Sequence, residues 1–310
     1  MKNTSLDISY VGNLARKMNR LRDANQGQIT GTDSSGNPIV AFPFASLNDA
    51  TTGNHAFLEL ATNDGNSNYN ALLVSLKRRY AGGLSYGLSY TWSHNIADYV
   101  DNLTGGAFPQ NSYNYAAERG DSMFDVRHRV VGYVTYALPF GRGKRMLDRE
   151  GPINYAFGGW QINSIVTAQT GTTIQLFSID ESGTGGNHLS RPDCVANARS
   201  GASNDPRNGF WLDSAAFALP ATGQFGNCGV GRYHGPGLAN VDLSLFKSFP
   251  IRETMRFEFR AEAFNAFNHA NFSNPNSFFA PFTLGPGGFG YITNTIGDPR
   301  ELQLALKFYF

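Results

Sequence analysis

The strictest pattern in the chain is its final stretch, Arg300 to Phe310, which narrows the possible folds more than any other feature. Leu302, Leu304, Leu306, Phe308 and Phe310 share one parity, and Gln303, Ala305, Lys307 and Tyr309 share the other. Successive side chains of a strand point to opposite faces, so this stretch reads as a strand with an apolar ridge on one side and a mostly polar row on the other. At the edge of a soluble sheet such a strand invites pairing with another chain, whereas a closed barrel in a bilayer has no edge to protect. On this segment alone, a half-buried terminal strand of a soluble sandwich fits as well as a membrane strand.

The same two-residue rhythm recurs along the chain. Leu6, Ile8 and Tyr10 open it. From Tyr69 to Tyr80, Leu72, Val74, Leu76 and Tyr80 share a face opposite Ser75, Lys77 and Arg79. A tight turn at Ala81-Gly82-Gly83 leads into Leu84, Tyr86, Leu88, Tyr90 and Trp92, which alternate with small polar residues. Each run has about ten residues, the length a tilted membrane strand needs. Asp125 to Leu138 follows with poorer alternation, because Val131 and Tyr133 intrude. A turn at 139–144 separates it from Gly158 to Gln169, where Trp160, Ile162, Val166 and Ala168 oppose Gln161, Asn163, Thr167 and Gln169. Val241, Leu243 and Leu245 begin a further strand that turns at 250–253. Its partner sets Met255, Phe257, Phe259, Ala261 and Ala263 against Arg256, Glu258, Arg260 and Glu262. A charge facing lipid costs about 2–4 kcal/mol at the bilayer midplane, so these four charges are expected to face the lumen, where opposite signs two residues apart offset one another.

Between the strands, polar connections are expected at Gly12 to about Asn68, Asn95 to Phe124, Gly171 to Pro236 and Asn265 to Pro299, with a short extra strand near Thr173 to Phe177. Long and short connections alternate, as in outer-membrane barrels with short periplasmic turns and long outer loops. A soluble sandwich has no reason to segregate its loop lengths in this way. The expected fold is therefore all-β: an antiparallel transmembrane β-barrel of the outer-membrane type, with about eight strands in this chain and long extracellular loops. Composition agrees, with only 16% charged residues against a usual share of about 25%. The formal net charge of +1 and the lack of a basic run interleaved with aromatics argue against a nucleic-acid partner. No run of about 18 apolar residues exists for a membrane helix, and alternating strands cross a bilayer without raising hydropathy, so the mean hydropathy of −0.31 is silent on membranes.

Several segments, in order, resemble one known family: YNALLVSLKRRYAGGLSYGLSYTWSHNIAD from Tyr69, RHRVVGYVTYALPFGRGKR from Arg127, GGWQINSIVTAQTG from Gly158, GPGLANVDLSLFKSF from Gly235 and MRFEFRAEAFNAFNHANF from Met255. Together they are similar to the C-terminal barrel of Oar-like TonB-dependent receptors. The resemblance implies that residues 1–310 supply eight to ten strands of a 22-stranded barrel in the outer membrane of a Gram-negative cell, which binds and imports an unknown ligand. It implies outer-membrane lipid and the barrel-assembly machinery as partners, the latter reading Leu306, Phe308 and Phe310. It places the TonB contact in a plug domain that nothing here matches, so that partnership is expected only through such a plug. The start at Met1 shows no signal-peptide pattern, and the expectation is a piece of a longer precursor or a reading frame given without its beginning. A self-contained small barrel with a structural or adhesive role is the alternative, and a small barrel hydrolase a third.

Chemistry is sparse. Gly285, Gly287 and Gly290 satisfy G-x-G-x-x-G by chance, because no helix follows to present aligned amides to a phosphate. The six histidines (His55, His94, His128, His188, His234, His269) are dispersed, with no pair at metal-ligand spacing, and no cofactor or metal is expected. His94 with Asp98, or His128 with Asp125, are conceivable acid/base pairs for the hydrolase reading, but a solvated loop residue or an interfacial side chain is the better account of each. Asp98, Asp101, Asp121 and Asp125 are candidate weak calcium ligands with nothing to fix a geometry. Cys194 and Cys228 are compatible with one disulfide in an oxidising compartment or with two free thiols. Tyr80, Tyr90, Trp92, Trp160 and Phe308 lie near strand ends and suit interfacial aromatic girdles.

Overall fold

Eight long strands follow one another in a single antiparallel meander. In the computed structural model, which describes residues 3–49, 51, 55–98, 108–149, 151–185, 190–203, 205–208, 210–252 and 254–310, they are β1 (Thr4–Asp23), β2 (Glu59–Ala81), β3 (Leu84–Ala97), β4 (His128–Ala137), β5 (Trp160–Gln169), β6 (Leu238–Pro250), β7 (Arg256–Phe264) and β8 (Glu301–Tyr309). Each pairs with its neighbours in chain order. The outer edges of β1 and β8 pair with no other strand among the described residues.

The register sorts side chains into two faces. One row runs Arg78, Tyr86, Val134, Ser164, Leu243, Ala263, Leu302 from β2 to β8, and the next runs Tyr136, Ile162, Leu245, Ala261, Leu304. Since directly paired residues share a face, a continuous apolar face spans the sheet. The row that leaves β2 near its C-terminal end reaches β8 near its N-terminal end. That progressive stagger is the shear by which tilted strands wrap around a barrel axis. On the opposite face Glu262 pairs with Ser244 and Gln303, and Glu258 with Ser248 and Lys307.

Val131 and Tyr133, which disturbed the alternation, stand on the polar face opposite Ser89 and Gly87. A Cβ at Gly87 would lie 2.4 Å from the Tyr133 ring, so the glycine gives the aromatic ring a place to lie across the neighbouring strand. The turn between β2 and β3 places Gly82 at φ 64° and Gly83 at φ 86°, the left-handed pair that a type I′ hairpin turn requires. Arg78 follows Leu72, Val74 and Leu76 in unbroken register on the apolar face, opposite Tyr86, and a register shift between Arg78 and Ala81 then leads into the turn.

The first expected loop is corrected by the structure. Gly12 to Asp23 and Glu59 to Asn68 are not loop but paired strand, with an irregularity between Ala15 and Asn19. β2 alone has 23 residues, where a membrane crossing needs about 9–11. The Asn, Asp, Gly and Thr content misleads because alternation is imposed only where one face meets lipid or a core; a ladder with water on both faces needs no apolar parity.

Connections 24–58, 98–127, 170–237 and 265–300 lie at one end of the sheet, and 82–83, 138–159 and 251–255 at the other. The middle short connection holds a single helical turn, α1 (Pro152–Phe157), with Pro at its first position, where the missing N–H costs nothing. No helix among the described residues is long and apolar enough to cross a membrane.

Candidate ligand-facing cap

The four long connections fold together into a cap with its own core. Ile174, Leu176, Ala198, Leu212, Phe217 and Phe289 are among its buried residues. Phe217 meets Phe289 edge-on at a centroid distance of 4.9 Å, and Phe279 meets Phe289 at 5.1 Å, the arrangement that aligns positive ring edges with negative ring faces. Short ladders organise the segments. Thr173–Ile174 pairs with Tyr233–His234, Phe177–Ser178 with Phe278–Phe279, and Asp193–Cys194 with Phe217–Ala218. The extra strand expected near Thr173 to Phe177 is thus two short strands with different partners. Cys194 and Cys228 are joined by a disulfide across 34 residues.

Buried polar groups stitch three of the loops together. Arg191 donates to Glu118 at 2.5 Å, to the Cys228 carbonyl at 2.8 Å and to the Ala117 carbonyl at 3.0 Å. Gln110 donates to the Gly226 carbonyl at 2.9 Å, accepts from the Arg191 amide at 3.1 Å, and receives the Gln26 side-chain amide on its own carbonyl at 2.8 Å. Burying these groups is tolerable only because they answer one another. Nearer the sheet, buried Arg20 donates to Asp98 at 2.6 Å and lies 3.8 Å from the centre of the Tyr115 ring. Burial raises the Tyr115 phenol above its ordinary pKa.

Where β3 enters the cap, an ionic cluster forms. His94 Nε2 lies 2.7 Å from Asp121, and Arg127 donates to Asp121 at 2.8 Å and to Asp125 at 3.3 Å. Asp125 also accepts the Asn95 amide at 2.6 Å. His234 Nε2 stands 3.6 Å from Asp121 and 3.9 Å from Asp125, without a hydrogen-bond partner. Glycine brings these segments together: a Cβ at Gly120 would fall 2.0 Å from the Val230 carbonyl oxygen, and Gly231, at φ 63°, lies as close to Asp121. The donor atoms of Asp121, Asp125 and His234 lie within 4.8 Å of one another, but a cation there would have to displace the Arg127 guanidinium from both carboxylates. The cluster is better matched to holding the loop on β3 than to holding a metal.

Neither conceivable acid/base pair forms. His94 faces Asp121 rather than Asp98, and His128 Nδ1 meets the Tyr90 hydroxyl at 2.8 Å rather than Asp125. Of the four candidate calcium ligands, Asp121 and Asp125 meet, Asp98 is held by Arg20 and Asn66, and Asp101 lies outside the described residues, as does His188. Gly285, Gly287 and Gly290 all take positive φ in the loop after the short 3-10 turn Pro281–Thr283. The contributions of Gln26, Gln110 and Arg127 could not be read from the sequence, because isolated polar residues in loops carry no periodic signal.

On the strands, Arg256, Glu258, Arg260 and Glu262 share the polar face. Arg260 pairs with Glu258 at 2.6 Å, and Arg256 lies 4.0 Å from the centre of the Tyr309 ring. On the apolar face Trp160, Phe249, Phe257 and Phe308 line the short-turn end, with Phe257 and Phe308 4.8 Å apart. A band of aromatics therefore bounds the apolar face of β5 to β8 at the short-turn end, and Tyr10 and Trp92, on β1 and β3, stand with Leu72 in one row toward the cap.

A family model described as an outer membrane beta barrel domain matches residues 1–303. The chain belongs to this outer membrane beta barrel family. Its location is thereby the outer membrane, with the apolar face toward lipid, the polar face toward the lumen and the cap outside. Among solved structures, this barrel chain is similar to the outer membrane transporter YddB from Escherichia coli, at 8% sequence identity and a TM-score of 0.48 over 100% of its length. It spans 31% of the length of that transporter. No curated protein matches it.

Proposed function

We propose that the chain is the C-terminal barrel portion of a TonB-dependent outer-membrane receptor, taking part in ligand binding and uptake, and that it performs no catalysis itself. The observation that carries this reading is the open sheet: eight staggered strands present an apolar face to lipid, while the edges of β1 and β8 are unpaired among the described residues. Unpaired backbone groups at membrane depth cost several kcal/mol each, so on this reading further strands complete the ladder. The stitched cap suits the ligand-contacting role, since specificity in such barrels is carried by long outer loops on a rigid scaffold. Leu306, Phe308 and Phe310 would be read by the barrel-assembly machinery, and the TonB complex would be reached through a plug.

The test is to export residues 1–310 behind a signal peptide and compare gel mobility with and without boiling, in outer-membrane extracts. The receptor reading expects insoluble or absent material. A discrete heat-modifiable band would mean that the eight strands close on themselves, which would favour a self-contained small barrel, since eight strands suffice to close one around side chains.

A further inference from the structure

We propose that the short-turn rim carries a docking site for anionic phospholipid headgroups of the periplasmic leaflet, with α1 lying at the membrane interface as its anchor. Two side chains show on which side of the barrel α1 lies. Trp160 and Lys247 pair directly, in one row with Phe259 and Leu306 on the lipid-facing side. Trp160 Nε1 donates to the Ala156 carbonyl at 2.9 Å, while the Lys247 ammonium donates to the Gly158 carbonyl and reaches the Ala156 carbonyl at 3.4 Å. The last turn of α1 is thus tied to the outer wall, level with the aromatic band formed by Trp160 and Phe249.

From that position the segment turns its apolar side chains outward. Met146, Leu147, Ile153, Tyr155, Phe157 and Ile251 are all exposed, Tyr155 by 59%. A patch of this kind on a soluble surface would call for a partner, and here it continues the lipid-facing face of the sheet. Cations flank it. In sequence the two connections carry five cations, Arg142, Lys144, Arg145, Arg149 and Arg252, and three carboxylates, Asp148, Glu150 and Glu253, while Lys77, Arg78 and Arg79 lie near the end of β2 on the same rim. Between the two connections lies a cavity of about 850 Å³ whose walls include Phe140, Arg142, Lys144, Tyr155, Phe249 and Arg252. Apolar side chains beside clustered Lys and Arg are the chemistry of an interfacial segment that binds anionic lipid, and each cation near such a surface adds to the attraction. Continuity with the lipid-facing wall and complementary charge select a phospholipid surface over a protein partner. The proposal stands on the barrel orientation and does not depend on the TonB-type reading.

The test takes the protein from the outer membranes of the cell that makes it, in mild detergent, and measures lipid adducts by native mass spectrometry with added phosphatidylglycerol or phosphatidylcholine of matched chains. Phosphatidylglycerol should be retained in preference, and Arg142→Gln/Lys144→Gln/Arg252→Gln should lower its retention about tenfold while phosphatidylcholine changes little. Equal retention of the two lipids by the unaltered protein would overturn the proposal without recourse to any variant. Undiminished phosphatidylglycerol retention by the triple variant would overturn it as well, as would preferential retention of lipopolysaccharide, an outer-leaflet lipid.

Discussion

At the scale of single residues, the cap depends on charges that are buried and answered. Arg191 and Glu118 are nearly inaccessible, with side chains 9% and 4% exposed, and the guanidinium also serves two backbone carbonyls on different segments. Desolvating such a pair offsets much of its attraction, so its presence says little about net stability; removing one partner is another matter, because it strands a buried charge. Glu118→Ala is therefore expected to destabilise the cap by about 3–5 kcal/mol, read as faster proteolysis of the outer loops on intact cells with unchanged barrel heat-modifiability. Glu118→Gln, which keeps an acceptor oxygen for Arg191, should fall between the two. Lys247 solves a related problem on the lipid side: its charge is directed at the α1 carbonyls and covered by Trp160 and Phe249, whose ring centres lie 5.1 and 5.2 Å away.

At the scale of elements, β7 separates two environments most sharply. Ala261 pairs with Leu245 and Leu304 in the middle of the apolar face, and its sequence neighbour Glu262 pairs with Ser244 and Gln303 on the other. Ala261→Arg should cost about 2–4 kcal/mol and block membrane insertion, whereas Glu262→Gln should be tolerated. The measurement is the fraction of each variant found folded in the outer membrane. Equal tolerance of both would remove the lipid-facing assignment of this face. The strand pattern was legible from the residues alone, since Phe257, Phe259, Ala261 and Ala263 share a parity and lipid permits no exception there. α1 was not legible. Six residues are too few to establish a helical period, and Gly151-Pro152 reads as well for a turn as for a helix start.

At the scale of the whole molecule, the eight strands form a wall and the long loops form a second folded layer upon it. The disulfide spans 34 residues of that layer. On the chain-entropy account, closing a loop of this length contributes about 3–4 kcal/mol. Cys194→Ser with Cys228→Ser is expected to loosen the cap while leaving the wall assembled, so hydrogen exchange should accelerate around Ala198, Leu212 and Phe217 but not in β4 or β5. Acceleration in both layers would mean that cap and wall unfold together.

Residue order alone determined which stretches cross the bilayer, which face of each meets lipid, and at which end the long connections gather. Lipid imposes a two-residue period that no soluble loop imitates for long. Tertiary structure decided the rest. It extended β1 and β2 into water, where the absence of lipid removes the period, and it joined Cys194 to Cys228 where the residues left free thiols open. It also paired His94 with Asp121 rather than Asp98 and brought His234 beside them. Contacts between residues distant in sequence depend on how loops pack against one another, and in a cap of polar loops that packing follows the burial of a few aromatics and the need to answer every buried charge, neither of which leaves a local pattern.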